Sequence, residues 1–324
     1  MPAKCFLIFS FLFPCAAAAG ENLLYFEGQA VGGYSSEAGK AVFHSMSASA
    51  PMQKTSAGFD FLSKFSSEAG DTGTLALQGR LAYEPDASDR LEAQLYNAYY
   101  RAKTPYGYLW LGHNRPASGL ESYFDTHGAL LQVLPMYGYG NDRDWGLGVS
   151  KDLAWGGAAF SATTGSGMPL RCAGSYLLSA RVAKGSLSGD NSENGFYASA
   201  GKIPEIHGYD VMEGSERSSA ALGTDYALLW DRWELRADLR AGKMRGMKYS
   251  AGLARLGLNL LAENRLKLEA QAVYSGLEKA EGWALASGVS FTLAPELTWR
   301  ALFEYDEPMK DRRVTTQLYY YLPL

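Results

Sequence analysis

The chain has 324 residues, with 30 Lys and Arg against 34 Asp and Glu and a formal charge of -4. This near-balance argues against a nucleic-acid partner, which usually requires a basic excess or stripe. Hydrophobic residues make up 47%, too many for a disordered chain. The mean hydropathy of -0.17 is too low for a bundle of membrane helices. With 36 Gly, 21 Tyr and only 12 Pro, the composition favours a large β structure with aromatic belts.

Residues 1–20 predict a cleaved signal peptide. Lys4 supplies the positive charge, residues 5–13 form an apolar run, and the alanines at 16–19 suit a signal peptidase. The alternative is a lipoprotein acylated at Cys15, which the preceding Phe and Pro disfavour. We therefore expect an exported protein, and no later apolar segment is long enough for a spanning helix.

Cysteine usage limits the cofactors. Removal of the leader leaves Cys172 as the single cysteine, so no internal disulfide can form. The sequence has no CxxC or CxxCH pattern, which argues against thiolate zinc sites and covalent haem. We expect neither a metal nor a cofactor.

From about residue 56 onward, side chains alternate with a period of two. In 232–241, RWELRADLRA, the apolar side chains and the charges fall on opposite faces of a strand, whereas a helix would mix them. The same division recurs in 265–274, 283–293 and 297–305. This pattern predicts antiparallel strands with one apolar and one polar face.

The rhythm of the strands predicts the organisation of the chain. Counting from residue 56 gives about sixteen strands, with fourteen to eighteen allowed, each of the ~9–11 residues that cross a bilayer when tilted. We expect residues 21–55 to form an N-terminal segment, with a candidate first strand at 29–35, and residues 56–324 to form the barrel. Longer links, including 203–217 and 275–282, are predicted to be loops.

A soluble β-sandwich also alternates, but two features favour a membrane barrel. The polar faces carry charges of both signs on neighbouring strands, as a water-filled lumen allows. Aromatic residues flank the apolar faces near the turns, where the rings are half buried at a membrane interface. These aromatic residues are Trp230, Trp233, Tyr274, Trp283, Trp299, Tyr305 and Tyr319 to Tyr321.

The C-terminal segment, RRVTTQLYYYLPL, alternates to the end of the chain and resembles the final strand of bacterial outer-membrane β-barrel proteins. It departs from that pattern by ending in Leu324 instead of Phe and by containing Pro323. Size and rhythm look most like porins and porin-like channels. The stretch 106–128 also looks like a porin-type strand followed by a functional loop. The resemblance implies an all-β, up-and-down antiparallel transmembrane barrel in the outer membrane, folded by the barrel assembly machinery.

Charges on the predicted inner face are the main candidates for function, because rings of fixed charge in a pore set ion preference. Alternatively, they are paired with one another and simply fill the interior. The predicted pore-lining residues are Arg232, Glu234, Arg236, Asp238, Arg240, Arg265, Lys267, Glu269, Arg300 and Glu304.

The segment 113–128 lacks alternation and is too long for a tight turn. If it folded into the lumen it would form a constriction, whose polar residues are His113, Arg115, Glu121, Asp125 and His127. Two histidines with carboxylates also suggest a metal site, but their spacing is weak support. We favour an exposed loop or turn over a metal site and keep the constriction as the alternative.

The resulting function prediction is a passive diffusion channel for small hydrophilic solutes or ions. The alternatives are a barrel that sheathes a partner such as a multihaem cytochrome, and a barrel enzyme acting on lipid or peptide. Predicted partners are outer-membrane lipid and lipopolysaccharide, the assembly machinery and small solutes, with a homo-oligomer or a separate cytochrome as further candidates.

Overall fold

The computed structural model describes residues 20–46, 52–68, 70–85, 90–171, 174–207, 209–278 and 280–324. The predicted signal peptide, apart from Gly20, and Cys172 lie outside these residues. None of the helices in the described ranges is long and apolar enough to cross a membrane.

Seventeen β-strands form one antiparallel sheet that closes on itself. Sixteen of them make the barrel wall, and the three-residue β2 extends the edge of β1. The predicted all-β barrel of about sixteen strands is therefore confirmed. The strands are β1 (Gly20–Ser35), β2 (Lys40–Val42), β3 (Thr55–Ser67), β4 (Gly70–Tyr83), β5 (Leu91–Thr104), β6 (Gly107–Asn114), β7 (Asp144–Leu153), β8 (Gly156–Thr163), β9 (Tyr176–Ser186), β10 (Ser192–His207), β11 (Asp210–Trp230), β12 (Trp233–Met244), β13 (Met247–Leu260), β14 (Leu266–Leu277), β15 (Ala280–Ala294), β16 (Leu297–Asp306) and β17 (Asp311–Pro323).

The barrel closes between its first and last strands. β1 pairs with β17 from Tyr25↔Pro323 to Ser35↔Arg313, and on its other side with β3. The first strand begins at Gly20, well before the predicted 29–35, so most of the 21–55 segment belongs to the barrel. The early residues of β1 lack regular alternation, which hid the strand from periodicity analysis.

The two faces of the wall separate as the alternation predicts. On β12, Leu239 is 58% exposed on the outer face, whereas Asp238 and Arg240 are buried inside the barrel. The same division holds on β17, where Val314 and Leu318 point outward and Thr315 is buried. Outward apolar and inward polar side chains are what a barrel in lipid requires.

Exposed outer-face tryptophans mark both ends of the wall. Trp230, Trp233 and Trp299 lie beside short turns at the end where β1 begins and β17 ends. Trp283 lies at the opposite end, where its ring is 5.2 Å from that of Tyr274. We call the end that carries Trp230, Trp233 and Trp299 the turn end of the barrel, and the end that carries Trp283 the loop end. The two aromatic levels correspond to the interfacial girdles of membrane barrels.

Two predicted long loops are instead strand hairpins. The segment 203–217 lies within β10 and β11, which pair from Ile203↔Arg217 to His207↔Asp210 with bulges, and 275–282 joins β14 and β15 by a short turn. Strands continue here although alternation fails, because backbone pairing does not require an apolar outer face once the chain leaves the hydrocarbon.

The helical elements are short and occur in connections. A four-residue helix, α1 (Leu187–Asp190), links β9 and β10 at the turn end, where Ser186 caps it. Single 3₁₀ turns occur at Leu120–Ser122, Leu134–Tyr137 and Ala262–Asn264. The first two belong to residues 115–143, the longest connection and the one that defines the candidate site.

The lipid-facing role of Leu239 is testable by charge insertion. Arginine on the lipid face near mid-bilayer costs about 2–4 kcal/mol, so we expect Leu239→Arg to lower the free energy of unfolding by that amount. The measurement is urea-dependent unfolding in lipid vesicles. Leu261→Arg is the matched control, because Leu261 is 60% exposed at a turn outside the wall. Equal losses for both variants would contradict the assignment of the faces.

Candidate functional site

The connection between β6 and β7 folds into the barrel. We call residues 115–143 the inner loop. Its backbone carbonyls accept hydrogen bonds from inward arginines of distant strands: Arg300 donates to Gly128 over 3.0 Å and Arg255 to Gln132 over 2.8 Å. Near its start, the Ala117 amide donates to the Ser161 hydroxyl on β8 over 3.0 Å. The expectation of an exposed loop was therefore wrong.

An apolar cluster inside the barrel explains why the inner loop turns inward. Leu120, Val133 and Leu134 of the loop are buried against Leu253 of β13 and Val273 of β14. Each fully buried aliphatic side chain contributes about 1.5–3 kcal/mol. A purely polar lumen would offer the loop no such gain, so this apolar area of the inner wall selects the docked position.

A buried charge cluster fixes the loop on β12. The Glu121 carboxylate accepts from Arg240 Nη2 with both oxygens at 3.0 Å, and the same nitrogen donates to Asp238 over 3.0 Å. Arg240 Nη1 donates to the Tyr139 carbonyl over 2.6 Å, and the Tyr197 hydroxyl donates to Asp238. One guanidinium thus joins two separate parts of the loop to the wall. We call Glu121, Asp238 and Arg240 the loop anchor.

Two glycines allow the loop to approach the anchor. Gly119 has φ +56°, and a Cβ there would lie 2.5 Å from Arg240 Nη2 and Asp238 Oδ2. Gly140 has φ +102°, and its Cβ would lie 2.4 Å from Arg240 Nη1. Both positions combine a left-handed backbone with a close approach to the anchor, so a larger residue would displace the loop.

The anchor holds two carboxylates and one guanidinium in a buried place. Burial raises the pKa of the Glu121 carboxyl to about 8, Asp238 adds to the rise, and Arg240 opposes it. The neutral cluster, with Glu121 protonated, therefore persists to pH values at which an ordinary glutamate is ionised.

A second attachment lies beside the anchor. Arg181 on β9 donates to both Asp225 oxygens over 2.9 and 2.6 Å and to Glu193 over 2.8 Å. The Tyr123 hydroxyl of the inner loop donates to Asp225 over 3.0 Å, and its ring lies 4.5 Å from the Arg181 guanidinium. The inward charges of this wall are thus satisfied mainly by one another and by the loop.

The rest of the loop reaches the opposite wall. The Asp125 carboxylate pairs with Arg115 and with Arg143. His127 Nε2 lies 2.7 Å from the Glu27 carboxylate of β1. The loop therefore spans the lumen from β12 to β1, so a passage through the barrel must run around or through it.

Eight of the ten predicted pore-lining residues lie on the inner wall. Three lysine and arginine side chains lie close to carboxylates there, as in Lys267, which is 3.0 Å from Glu234 and 3.2 Å from Glu269. Arg236 is 3.7 Å from Glu234, and its guanidinium covers the Phe124 ring of the inner loop at 3.8 Å. The eight inward residues are Glu234, Arg236, Asp238, Arg240, Lys267, Glu269, Arg300 and Glu304.

Two predicted pore-lining residues do not line the lumen. Arg232 lies in the exposed turn between β11 and β12. Arg265 is exposed beside the turn Ala262–Asn264, where its guanidinium donates to the Thr292 carbonyl and lies over the outward Phe291 ring. In the sequence, both residues fall on the polar side of the alternating pattern. They lie beyond the ends of the strands, however, where that pattern no longer decides which side chains face the lumen.

The predicted constriction residues divide into two groups. Arg115, Glu121, Asp125 and His127 belong to the inner loop, but His113 is fully buried at the end of β6 with its ring 4.8 Å from that of Trp145. In the described ranges, no three His, Cys, Asp or Glu side chains form a group that could hold a metal ion.

Several site residues escaped sequence analysis. Arg181, Asp225 and Arg255 hold the loop but lie in strands whose alternation is weak, and Glu27 lies in the segment without clear alternation. One signal was available: the inner face of β13 is apolar at Tyr249, Ala251 and Leu253, before Arg255 follows on the same face. An apolar inner face predicts that something other than water covers it.

Solved structures with this architecture are known, although no protein-family model and no curated protein match the chain. An anion-selective porin from Comamonas acidovorans is 10% identical with a TM-score of 0.65, covering 94% of this chain and 100% of that one. OmpTdeltaL8, a loop-deletion mutant of an outer membrane protein of Vibrio cholerae, is 13% identical with a TM-score of 0.63, covering 94% and 99%. The outer membrane channel DcaP of Acinetobacter baumannii is 11% identical with a TM-score of 0.60, covering 95% and 99%.

These similarities establish the fold. The chain has the porin-like fold, a closed antiparallel β-barrel with a sixteen-stranded wall.

Removing the glycine beside the anchor should release the loop. We expect Gly119→Ala to increase amide hydrogen exchange across the inner loop at least tenfold, because the new methyl group would overlap the anchor. Hydrogen exchange with mass spectrometry of the detergent-solubilised barrel measures this. Gly138→Ala is the matched control: Gly138 also has positive φ, at +88°, but nothing lies within 4 Å of its added Cβ. Similar exchange in both variants would show that backbone strain, and not the anchor, is responsible.

The raised pKa of Glu121 predicts the direction of a pH effect. Its pKa in the docked loop, about 8, exceeds its ordinary value of 4.5, so the docked state binds an extra proton between these values. Loop docking should be strongest at the acidic end of this window and weaken as pH rises through about 8. The measurement is the exchange protection of loop amides from pH 5 to 9, corrected for intrinsic rates. Glu121→Gln should remove most of the pH dependence, and an unchanged profile would contradict the assignment.

Proposed function

We propose that the protein is an outer-membrane porin through which small hydrophilic solutes or ions diffuse passively. The observation that carries the proposal is the inner loop, docked across a charged lumen by the Glu121–Arg240 contact. A polar interior keeps a path hydrated, and a fixed loop narrows that path without closing the ends of the barrel. Transport of this kind needs no cofactor and no catalytic residue.

The pairing of the lumen charges supports a weak ion preference. Arg181 lies against Asp225 and Glu193, and Lys267 against Glu234 and Glu269, so their fields largely cancel. The similar porin from Comamonas acidovorans is anion-selective. The paired charges of this chain support a weaker preference, set by side chains such as Arg236 that lie beside the loop.

The alternative of a barrel that sheathes a cytochrome finds no support. The inner loop contacts β1, β12, β13 and β16 across the lumen, so a threaded protein would have to displace it. For the enzyme alternative, no observation of the described side chains favours a reaction. Several of the similar structures are porins or channels, which supports transport.

The surroundings of the barrel remain predictions. We propose contact with outer-membrane lipid and lipopolysaccharide, insertion by the barrel assembly machinery after export through a cleaved signal peptide, and assembly into a homo-oligomer. Because membrane barrels keep short turns on the periplasmic side, we propose that the turn end faces the periplasm and the loop end faces the outside of the cell.

Planar-bilayer recording of the purified protein tests the channel proposal. We expect discrete conductance steps in the wild type and larger steps in Gly119→Ala, because release of the inner loop widens the passage. A variant in which a short Gly-Ser linker replaces residues 116–142 should conduct several-fold more than the wild type. Absence of steps in the wild type and in both variants would refute a diffusion channel.

Reversal potentials test the lining role of Arg236. We expect Arg236→Glu to shift the reversal potential in a tenfold salt gradient toward cation preference, because a negative charge then faces the passage beside the loop. Arg232→Glu makes the same charge change at an exposed turn four residues away and should shift it much less. Equal shifts of the reversal potential would mean that the electrostatic potential at the entrance of the barrel causes the effect. Arg236 would then not line the passage.

A further inference from the structure

A cavity of about 1020 Å³ lies between the inner loop and the connections of the loop end. Residues 135–143 of the inner loop form its floor, together with Arg80 and Tyr96 of the wall. We call this cavity the outer vestibule. Its volume is at the upper end of the range typical of sites for drug-sized ligands.

The outer vestibule collects the methionines of the chain. The sequence contains nine Met, and all except Met1 line this one cavity. They come from six places far apart in sequence, and only the closed barrel brings them together. The eight residues are Met46, Met52, Met136, Met168, Met212, Met244, Met247 and Met309.

Packing alone does not account for these methionines. Met212 is 62% exposed and Met309 42% exposed, so neither fills a core. Met244 and Met247 are cross-strand neighbours at the tip of the β12–β13 hairpin, and both line the cavity. Thioether side chains are flexible and polarisable, and they adapt to apolar and aromatic surfaces of different shape. The vestibule is therefore suited to binding the apolar parts of ligands that differ in shape.

The charge of the vestibule is negative. Among the described lining residues are seven Asp and Glu against five Lys and Arg. Glu304 faces Arg313 across the strands, but Arg313 Nη2 donates to Asp311 over 2.6 Å. Glu304 Oε2 is buried and, within the described part of the chain, has no hydrogen-bond partner. Asp306 and Asp311 face each other in the same register, so three carboxylates share one guanidinium.

We propose that the outer vestibule binds amphipathic organic cations, with the methionines contacting an aromatic or aliphatic body and the carboxylates around Glu304 contacting its positive charge. Neither element suffices alone: carboxylates without the apolar wall would hold hydrated metal cations equally well, and the apolar wall without them would not discriminate by charge. As a capture step before passage, this inference rests on the proposed channel function, but binding itself is measurable without conduction.

Ethidium is a suitable probe, because it joins a flat aromatic body to a fixed positive charge. We expect saturable ethidium binding to the intact barrel in detergent, followed by fluorescence with empty micelles subtracted. The anionic aromatic probe 8-anilinonaphthalene-1-sulfonate should bind at least tenfold more weakly. Tetramethylammonium, a cation without an aromatic body, should not compete at equal concentration.

Matched variants separate the two contributions. The Met244→Gln, Met247→Gln pair should raise the ethidium dissociation constant about tenfold through lost apolar contact, whereas the Met244→Leu, Met247→Leu pair should stay within about threefold. Glu304→Gln should weaken ethidium several-fold and narrow its advantage over the anionic probe. Glu263→Gln makes the same charge change at an exposed turn at the other end of the barrel and should have no effect.

Two results would overturn the proposal. One is unchanged ethidium affinity in both the methionine-to-glutamine pair and Glu304→Gln. The other is displacement of ethidium by stoichiometric Ag⁺, since thioethers also bind soft metal ions and the vestibule would then be a metal site. Bilayer recording of the same preparations keeps the two proposals apart: a barrel that conducts but does not bind ethidium refutes only this inference, and one that binds but does not conduct refutes only the channel.

Discussion

Backbone hydrogen bonding in hydrocarbon is the constraint on which the whole molecule depends. A strand in lipid has no water to satisfy its amides and carbonyls, so each strand needs a partner on both sides. The pairing of β1 with β17 supplies the last of these partners. Once the wall is closed, side chains along each strand point alternately to lipid and to the lumen, and no other interaction is needed to sort them. Leu239 and Arg240 are adjacent in sequence yet belong to environments of opposite polarity.

Most of the charged side chains in the lumen are buried and lie close to a group of opposite charge or to a carbonyl. Removing water from isolated charges is costly, so inward arginines are stable only with carboxylates or carbonyls close by. The inner loop provides several of these partners, as Glu121 does for Arg240 and the Gln132 carbonyl for Arg255. Breaking such a contact leaves a buried hydrogen-bond donor of the arginine without its partner, which is why the loop anchor holds a long connection in one position. Most of the lining charges hold the inner loop against the wall. Only the few charged side chains that lie beside the passage are expected to act on permeating ions.

The sequence was most informative where one face meets lipid. The alternation of 232–241, 265–274, 283–293 and 297–305 located β12, β14, β15 and β16, because hydrocarbon strongly disfavours charged residues at alternate positions. The first half of β1 and the extension of the β10–β11 hairpin were missed, since neither stretch alternates regularly. Charges at strand ends, such as Arg232, were assigned to the lumen because periodicity alone does not show where a strand stops.

The site itself was only partly predictable. The segment that forms the inner loop stood out through its lack of alternation, but its fold depends on Leu253 and Val273, which lie more than a hundred residues away in sequence. The methionine lining of the outer vestibule was invisible for a related reason. Its members are scattered over connections and the ends of strands, and no local pattern marks residues that meet only when the barrel closes.

The long sequence separation of the closing contacts has a consequence for biogenesis. Tyr25 pairs with Pro323, and Glu121 meets Arg240 across 119 residues, so the loop anchor cannot form before β12 is present and the seam cannot form before β17 is present. Contacts of this kind form slowly because a large loop must be closed before they stabilise anything. A nascent chain truncated before β17 would carry two unpaired edges, which readily associate with other strands. The addition of β17 thus decides when the wall can close, and the chain has to be kept from associating with other strands until then.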